Sequence, residues 1–287
     1  MRITGKTRLA GIMGWPVSHS RSPALHNFWI DEHAVDGAYV PLAVRPEQLE
    51  TALRALPALG FRGCNLTIPH KERALALVDR VDPLARRIGA INTATVMPDG
   101  SIEGRNTDIY GFRENLHDCI PDWQPGAGPA AVLGAGGAAR AIVAALIEER
   151  VTEIRIVNRT AARAARLAED LGVPGCRLSV HPWAERESAL DEAGLLINTT
   201  SLGMAGGTEL AIELARLPLS AVVADLVYVP LETPLLAAAR RRGHRTADGL
   251  GMLLHQGRPG FEAWFGTPVW VTRGLRAAVL TTLGVPR

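Results

Sequence analysis

One segment of this 287-residue chain constrains its fold more than any other: Ala130-Ala-Val-Leu-Gly-Ala-Gly-Gly-Ala-Ala-Arg-Ala-Ile-Val143. It is patterned as a short apolar strand, a glycine turn and an alanine-rich helix. The turn, Gly134-Ala135-Gly136-Gly137-Ala138-Ala139, fits G-x-G-x-x-G/A. The first glycine permits the tight turn, the second lets the backbone approach a pyrophosphate, and a small third residue lets helix and strand pack closely. A helix opening near Gly137 aims free N–H groups at phosphates. The pattern predicts a Rossmann dinucleotide-binding domain. Cofactor choice is made at the end of the next strand, Glu153–Val157, where NAD binders carry an acid. Here Asn158, Arg159 and Thr160 follow, with Arg163 one helical turn on. Two guanidinium groups and a hydroxyl suit a 2′-phosphate, so the expected cofactor is NADP (NADPH).

At this length about two domains are expected. Ahead of the glycine turn, strand-like runs (Leu9–Gly14, Ala38–Val44, Gly63–Ile68, Ile91–Met97) alternate with helical patterns at Ser22–His33, Pro46–Leu56 and Lys71–Val78. That alternation predicts an α/β layer structure. Pro121–Pro129, rich in Pro and Gly, reads as a linker. Beyond the Rossmann unit, with strands at Leu195–Asn198 and Ala221–Leu226, the chain returns to helical patterns at Leu250–Trp264 and Thr272–Leu283. We expect these C-terminal helices to pack back on the first domain. The domains then are 1–108 with 249–287, and 109–248.

Composition narrows the function classes. Hydrophobic residues make up 47% and charged residues 21%, an ordinary globular balance. A net charge of +2 with no long basic run argues against nucleic acid as a partner. No apolar stretch of about 18 residues suggests a membrane span, and the first 14 residues lack a signal-peptide pattern. Cys64, Cys119 and Cys176 have neither disulfide-framework nor zinc-knuckle spacing. A cytoplasmic protein without a metal is expected.

The 31 basic residues comprise 29 Arg and only two Lys, Lys6 and Lys71. Where arginine serves every generic need, a lysine invites a chemical reading, because an ammonium can give up a proton that a guanidinium keeps. Lys71 sits in Asn65-Leu-Thr-Ile-Pro-His-Lys-Glu72, one of the polar segments at the ends of the first-domain strands. The others are Ser18-His-Ser20-Arg-Ser22, Gly89-Ala-Ile-Asn92-Thr93 and Gly104-Arg-Asn106-Thr107-Asp108. Ligands bind beyond the carboxyl ends of such strands. Hydroxyls, amides, one ammonium and one carboxylate converging there suit a small polyhydroxylated acid. Taken singly, each residue is equally natural as a cap or turn residue. Lys71 and Asp108 form the chemical pair: hydride transfer at a secondary alcohol must be matched by proton transfer at its oxygen.

These residues resemble the shikimate dehydrogenase family, through SHSRSPALHN, NLTIPHKE, GAINT, NTD, GAGGAAR, NRTAAR, NTTSLGM, DLVY and DGLGMLLHQG, in that order along nearly the whole chain. The resemblance implies reversible reduction of 3-dehydroshikimate to shikimate with NADPH, in the chorismate route to aromatic amino acids. It implies a substrate domain hinged to the Rossmann domain, acting as a homodimer or monomer. It further implies Ser18 and Ser20 as carboxylate binders, and Asn65, Thr67, Asn92, Asp108 and Gln256 as hydroxyl binders. Lys71 is implied as catalytic acid/base, with Tyr228 beside the substrate. Thr199, Ser201, Met204, Leu226, Gly249 and Met252 fall where the family meets the nicotinamide half of the cofactor. Ile109-Tyr110 stands where many members have glycine first, and Thr199-Thr200 where Ala-Thr is common. Two rivals are a quinate/shikimate dehydrogenase of broader cofactor and substrate use, and a non-catalytic NADP-sensing regulatory protein on the same scaffold.

Overall fold

The computed structural model describes residues 3–284, so positions 1–2 and 285–287 of the expected first-domain span lie outside the described residues. The chain forms two compact units: residues up to Thr107 together with those from Leu254 onward, and Asp108–Leu253.

The first unit contains β1 (Arg8–Gly14), α1 (Ser22–Glu32), β2 (Gly37–Ala43), α2 (Leu49–Ala55), β3 (Phe61–Leu66), β4 (Arg80–Val81), α3 (Pro83–Ile88), β5 (Thr93–Val96) and β6 (Ile102–Arg105). Its sheet runs β2-β1-β3-β5-β6-β4. β1 is parallel to β2 and β3, whereas β5 is antiparallel to both its neighbours, β3 and β6. The amino end of β5 therefore lies beside the carboxyl ends of β3 and β6, with Thr93 opposite both Asn65 and Arg105. Helix α3 delivers the chain to that point. Asp82 caps it by accepting from Leu84 N (2.9 Å) and Ala85 N (3.2 Å), and Pro83 sits in the first turn. Gly89, at φ 80°, then stops it in the left-handed region, where a side chain is disfavoured.

The expected helix over Lys71–Val78 is only a short 3₁₀ turn, Arg73–Ala76. A helix needs the Lys71 carbonyl for the amide four residues on, but that carbonyl accepts from Ile91 N (2.9 Å), and Leu75 N turns to Glu72 O instead. The strand expected over Ile91–Met97 is likewise shorter, because Asn92 N and O bond to Arg105 O and Leu66 N ahead of the antiparallel ladder.

The second unit contains α4 (Asp108–Cys119), β7 (Ala130–Leu133), α5 (Gly137–Glu148), β8 (Glu153–Asn158), α6 (Ala161–Leu171), β9 (Arg177–Pro182), β10 (Leu195–Asn198), β11 (Val222–Asp225), α7 (Pro234–Arg241) and β12 (Arg245–Ala247). All neighbours in its sheet, β12-β11-β10-β7-β8-β9, are parallel. Counted from β7 this is the order 3-2-1-4-5-6 of the Rossmann fold, which reverses between β7 and β10. The central strands read as unbroken apolar runs because both faces are covered: Ala130–Leu133 and Leu195–Asn198 are buried throughout. Ala139, Ala141, Ala144 and Ala145 on α5 are small enough to bring the helix close to the sheet.

The units divide inside α8 (Gly249–Phe265), after Leu253; α9 (Arg273–Thr281) belongs to the first unit. Two buried indoles tie this C-terminal return to the first sheet and its helix. Trp264 Nε1 donates to Ala94 O (3.1 Å), and Trp29 Nε1 to Trp270 O (3.0 Å). Between them lies His26, fully buried, stacked on Tyr39 (centroids 4.1 Å apart) and edge-on to Trp29. Neither of its ring nitrogens has a hydrogen-bond partner among the described residues. Burial drives its pKa down to about 3, with the neighbouring Asn65 amide opposing weakly.

This predicts a pH dependence of stability. The unfolded chain takes up a proton at His26 near the usual 6.5, and the folded chain only near 3. The His26 contribution to stability is therefore complete above pH 6.5 and is lost as pH drops through the interval between those values. The expected contribution is about 1.4 kcal/mol per pH unit, measurable by urea unfolding from pH 7 to pH 4. His26→Phe should flatten that slope by one proton; an unchanged slope means that His26 does not carry it.

Candidate active site

In the first unit the polar segments gather at one edge of the sheet. The turns after β1 and β3 are joined by Thr67 N to Met13 O (3.0 Å) and Trp15 N to Ile68 O (3.1 Å). Ser18 is exposed and Ser20 half-buried; Ser20 Oγ accepts from Ser22 N (3.3 Å), so the serine loop folds against the first turn of α1. Asn65, at the end of β3, is buried, and Thr67 two residues on is half-buried. Asn92 enters from the amino end of antiparallel β5. Its Oδ1 accepts from Thr107 N (2.8 Å), Thr107 Oγ1 (3.1 Å) and Thr93 Oγ1 (3.0 Å), and its Nδ2 donates to Gln256 Oε1 on α8 (3.3 Å). Asn65 Nδ2 donates to Asn92 O and Thr93 Oγ1, both at 3.1 Å. The segments after β3, at the start of β5 and after β6, together with α8, thus converge on a few buried amides and hydroxyls.

Lys71 stands half-buried on the turn that follows Thr67. Its neighbour His70 is 1% exposed and bonds through Nε2 to Val44 O at 2.8 Å, while Arg73 donates to Pro46 O at 2.7 Å. With Ile91 N on the Lys71 carbonyl, these contacts hold the backbone on both sides of the ammonium-bearing residue. Burial holds the His70 imidazole below its ordinary range, Val44 O opposing and the Arg73 charge assisting. As Nε2 faces a carbonyl, it is the nitrogen that carries the proton.

The second unit assembles the cofactor side at the point where its strand order reverses. β7 and β10 pair from Ala130–Leu195 to Leu133–Asn198, which sets Gly134 beside Thr199. Thr199 donates to Leu133 O from both N (2.9 Å) and Oγ1 (2.7 Å). The hydroxyl that an alanine would lack here thus ties the two strand ends together. At Gly134 φ is 113°, and a Cβ there would lie 2.6 Å from Thr199 Oγ1. A Cβ on Gly136 or Gly137 would meet nothing within 4 Å, and no side chain caps the start of α5. An open, uncapped helix start beside a forced glycine turn fits a pyrophosphate. Arg159, Thr160 and Arg163 are exposed beyond β8, and Asn158 Nδ2 closes the turn on Thr160 O (2.9 Å). No carboxylate stands there, which fits a 2′-phosphate. Ala135 and Ala138 are half-buried on the same turn.

The remaining positions surround β10 and β11. Ser201 and Met204 are exposed on the loop after β10, Leu226 and Tyr228 are half-buried after β11, and a Cβ on Gly249 would lie 2.3 Å from Leu226 O. Met252 is half-buried on α8. Asp108 opens α4 and is 9% exposed; Tyr110, two residues on, donates to Glu114 at 3.4 Å along its own helix. Asp225 escaped sequence reasoning. It is 1% exposed and accepts from Asn198 Nδ2 (2.9 Å), Val227 N (3.0 Å) and Thr233 Oγ1 (2.7 Å), which fixes the loop bearing Leu226 and Tyr228. Burial pushes its pKa up to about 6 against those three bonds. An aspartate ending an apolar strand was the available signal. Among the described residues, no group of three or more His, Cys, Asp or Glu comes together to hold a metal, and no helix is long and apolar enough to cross a membrane.

A parallel 3-2-1-4-5-6 sheet with this turn at its reversal point, joined to a second α/β unit bearing buried amides and a lysine, defines a two-domain dinucleotide-dependent oxidoreductase. Residues 12–94 match the model of the shikimate dehydrogenase substrate binding domain, and residues 127–205 that of shikimate / quinate 5-dehydrogenase. The chain is 60% identical over 279 residues to a shikimate dehydrogenase (NADP(+)) of Paramagnetospirillum magneticum, covering 97% of this chain and 100% of that one. Among solved structures it resembles shikimate 5-dehydrogenase of Thermus thermophilus in complex with NADP(H) and shikimate. That match has 37% identity and a TM-score of 0.85, over 96% of this chain and 99% of the other. It also resembles quinate dehydrogenase of Corynebacterium glutamicum in complex with NAD, with 30% identity and a TM-score of 0.88, over 96% and 99%. The chain belongs to the shikimate dehydrogenase family.

Gly134→Ala should lower stability by about 1–3 kcal/mol, because the residue must hold a left-handed conformation against Thr199. Thr199→Ala in the same chain relieves the collision and not the backbone strain, so it should restore only part of the loss. Urea midpoints of the two variants and the parent check this; a fully stable Gly134→Ala protein refutes it.

Proposed function

We propose that this chain catalyses the reversible NADPH-dependent reduction of 3-dehydroshikimate to shikimate, with Lys71 and Asp108 handling the proton. The observation that carries the reading is the buried amide and hydroxyl array around Asn65 and Asn92, with Lys71, whose carbonyl accepts from Ile91 N, on the neighbouring turn. Such an array recognises ring hydroxyls and rejects analogues that lack them. The 60% identity to a protein named shikimate dehydrogenase (NADP(+)) supports the same substrate and cofactor.

The nicotinamide, when bound, supplies the hydride. The chain's own groups then have three tasks. Ser18 and Ser20 hold the substrate carboxylate, while Asn65, Thr67, Asn92, Asp108 and Gln256 orient the ring by its hydroxyls, with Tyr228 beside it. Lys71 gives a proton to the oxygen of the carbonyl being reduced, and takes it back in the reverse direction. Asp108 orients the ammonium or shares its proton. Gly134 to Ala138 cradle the pyrophosphate, and Asn158, Arg159, Thr160 and Arg163 read the 2′-phosphate. Thr199, Ser201, Met204, Leu226, Gly249 and Met252 face the nicotinamide half. On this reading residues 1–108 and 249–287 serve the substrate and 109–248 the cofactor. We take the enzyme to work in the cytoplasm, as a monomer or homodimer, on a small molecule with neither nucleic acid nor membrane as partner.

NADPH oxidation with 3-dehydroshikimate, run beside 3-dehydroquinate and with NADH in place of NADPH, tests the reading. Fast turnover of the first pair alone supports it, and preference for quinate chemistry with NAD favours the broader rival. Nucleotide binding without any turnover favours the sensor. Lys71→Ala should lower kcat by about 10²–10⁴-fold while leaving NADPH affinity unchanged; near-normal turnover removes its role. Arg159→Ala should weaken NADPH by about tenfold to a hundredfold and NADH hardly at all, as read by fluorescence titration; equal weakening of both shows that Arg159 does not read the phosphate.

A further inference from the structure

The SPALHN motif contributes more than a serine loop. His26 and Asn27, consecutive on α1, both act on Tyr39 of β2. His26 stacks on its ring (4.1 Å between centroids, 14° between planes). Asn27 brackets its backbone, Nδ2 donating to Tyr39 O (2.9 Å) and Oδ1 accepting from Tyr39 N (3.1 Å). So held, the Tyr39 hydroxyl, itself fully buried, meets Asn65 Oδ1 at 2.6 Å.

The directions of the bonds that meet at Asn65 can be settled from the backbone ends of the network. Thr107 N can only donate, so the Asn92 side-chain atom that faces it is Oδ1. Thr93 Oγ1 donates to that same oxygen and is left to accept from Asn65 Nδ2. The second hydrogen of Asn65 Nδ2 goes to Asn92 O, a carbonyl that can only accept. Both hydrogens of the Asn65 amide are thereby used inside the protein. Its Oδ1 faces Tyr39, whose hydroxyl must be the donor. Burial raises the Tyr39 pKa well above the ordinary phenol range, the Cys64 thiol adding to this and Ser22 opposing, so that donor keeps its proton at every working pH.

We propose that Tyr39 is a positioning residue that sets the polarity of substrate recognition. By donating to Asn65 Oδ1 while Asn92 and Thr93 take both amide hydrogens, it leaves Asn65 one lone pair to offer a ligand. Asn65 is thereby restricted to a substrate group that donates, a ring hydroxyl, and discriminates against a carbonyl, an ether or a missing hydroxyl at that place. The proposal rests on the reading that the first unit takes a polyhydroxylated ring acid, and adds the direction of one of its hydrogen bonds. Tyr39 touches no reacting atom and acts through Asn65.

Tyr39→Phe keeps the ring on His26 and both bonds from Asn27, and removes only the hydroxyl. Steady-state oxidation is measured with shikimate and with analogues each lacking one ring hydroxyl, for the parent, Tyr39→Phe, Asn65→Ala and the double variant. In the parent, one analogue is expected to lose about tenfold or more in kcat/KM relative to shikimate. In Tyr39→Phe, KM for shikimate rises about tenfold with kcat and the KM for NADP nearly constant, and discrimination against that one analogue collapses. The double variant is no worse than Asn65→Ala. His26→Phe, which disturbs the same packing but leaves the hydroxyl, retains the discrimination. Additive losses in the double variant, or undiminished discrimination in Tyr39→Phe, overturn the proposal. A parent that ignores shikimate but oxidises quinate overturns the substrate reading alone, and the same cycle is then read on quinate and its deoxy analogues. A parent inactive towards every ring alcohol overturns both.

Discussion

An amide buried at the end of a strand must have its donors and acceptors matched, since each unmet group costs on the order of 1–3 kcal/mol. The first unit is organised around that requirement at Asn65 and Asn92, each no more than 3% exposed. Meeting it takes a strand run backwards: only with β5 antiparallel does Asn92 arrive beside the ends of β3 and β6, where Thr107 N can reach its side chain. It also takes the Asp82 cap and the Gly89 stop, which bring the chain to Asn92 at the right height. The residue just before Asn92 leaves Lys71 on a turn rather than a helix, because Ile91 N has taken its carbonyl.

The second unit obeys a different constraint, proximity of backbone to backbone. Its strand ends meet so closely that Gly134 has no room for a side chain against Thr199, nor Gly249 against Leu226. Beside Gly134 the start of α5 has no side-chain cap, and a Cβ on Gly136 or Gly137 would meet nothing within 4 Å. A buried carboxyl is held at Asp225, where three donors meet it and fix the loop beyond β11. An anion site built from peptide N–H groups tolerates change in most side chains around it, whereas the amide array of the first unit depends on the identity of nearly every member.

Much of this was legible in the sequence. The glycine turn, its flanking strand and helix, and the positions of β10 and β11 follow from apolar runs and small residues, whose meaning is local. The polar segments also declared themselves as places, though not as a network. What stayed hidden was relational. The antiparallel course of β5 depends on pairing with strands 30 residues before and ten after it, which no local pattern of Thr93–Val96 encodes. The helix expected from Lys71 failed for a similar reason, a competing bond from Ile91. Tyr39, Asn27 and His26 carry no local sign of their part, because their importance lies in what they face. Helix α3 was the avoidable omission: Asp82-Pro83 and Gly89 are a start and a stop that sequence rules recognise.

The first unit is assembled from two separate stretches of chain, one before and one after the second unit, which is a single continuous stretch. During synthesis the later-made domain therefore has all its strands available while the earlier-made sheet still waits for Trp264 and Trp270, which close it over Ala94 and Trp29. Until those later helices are made, the amino-terminal sheet lacks the covering side chains and hydrogen bonds that Trp264 and Trp270 bring to Ala94 and Trp29.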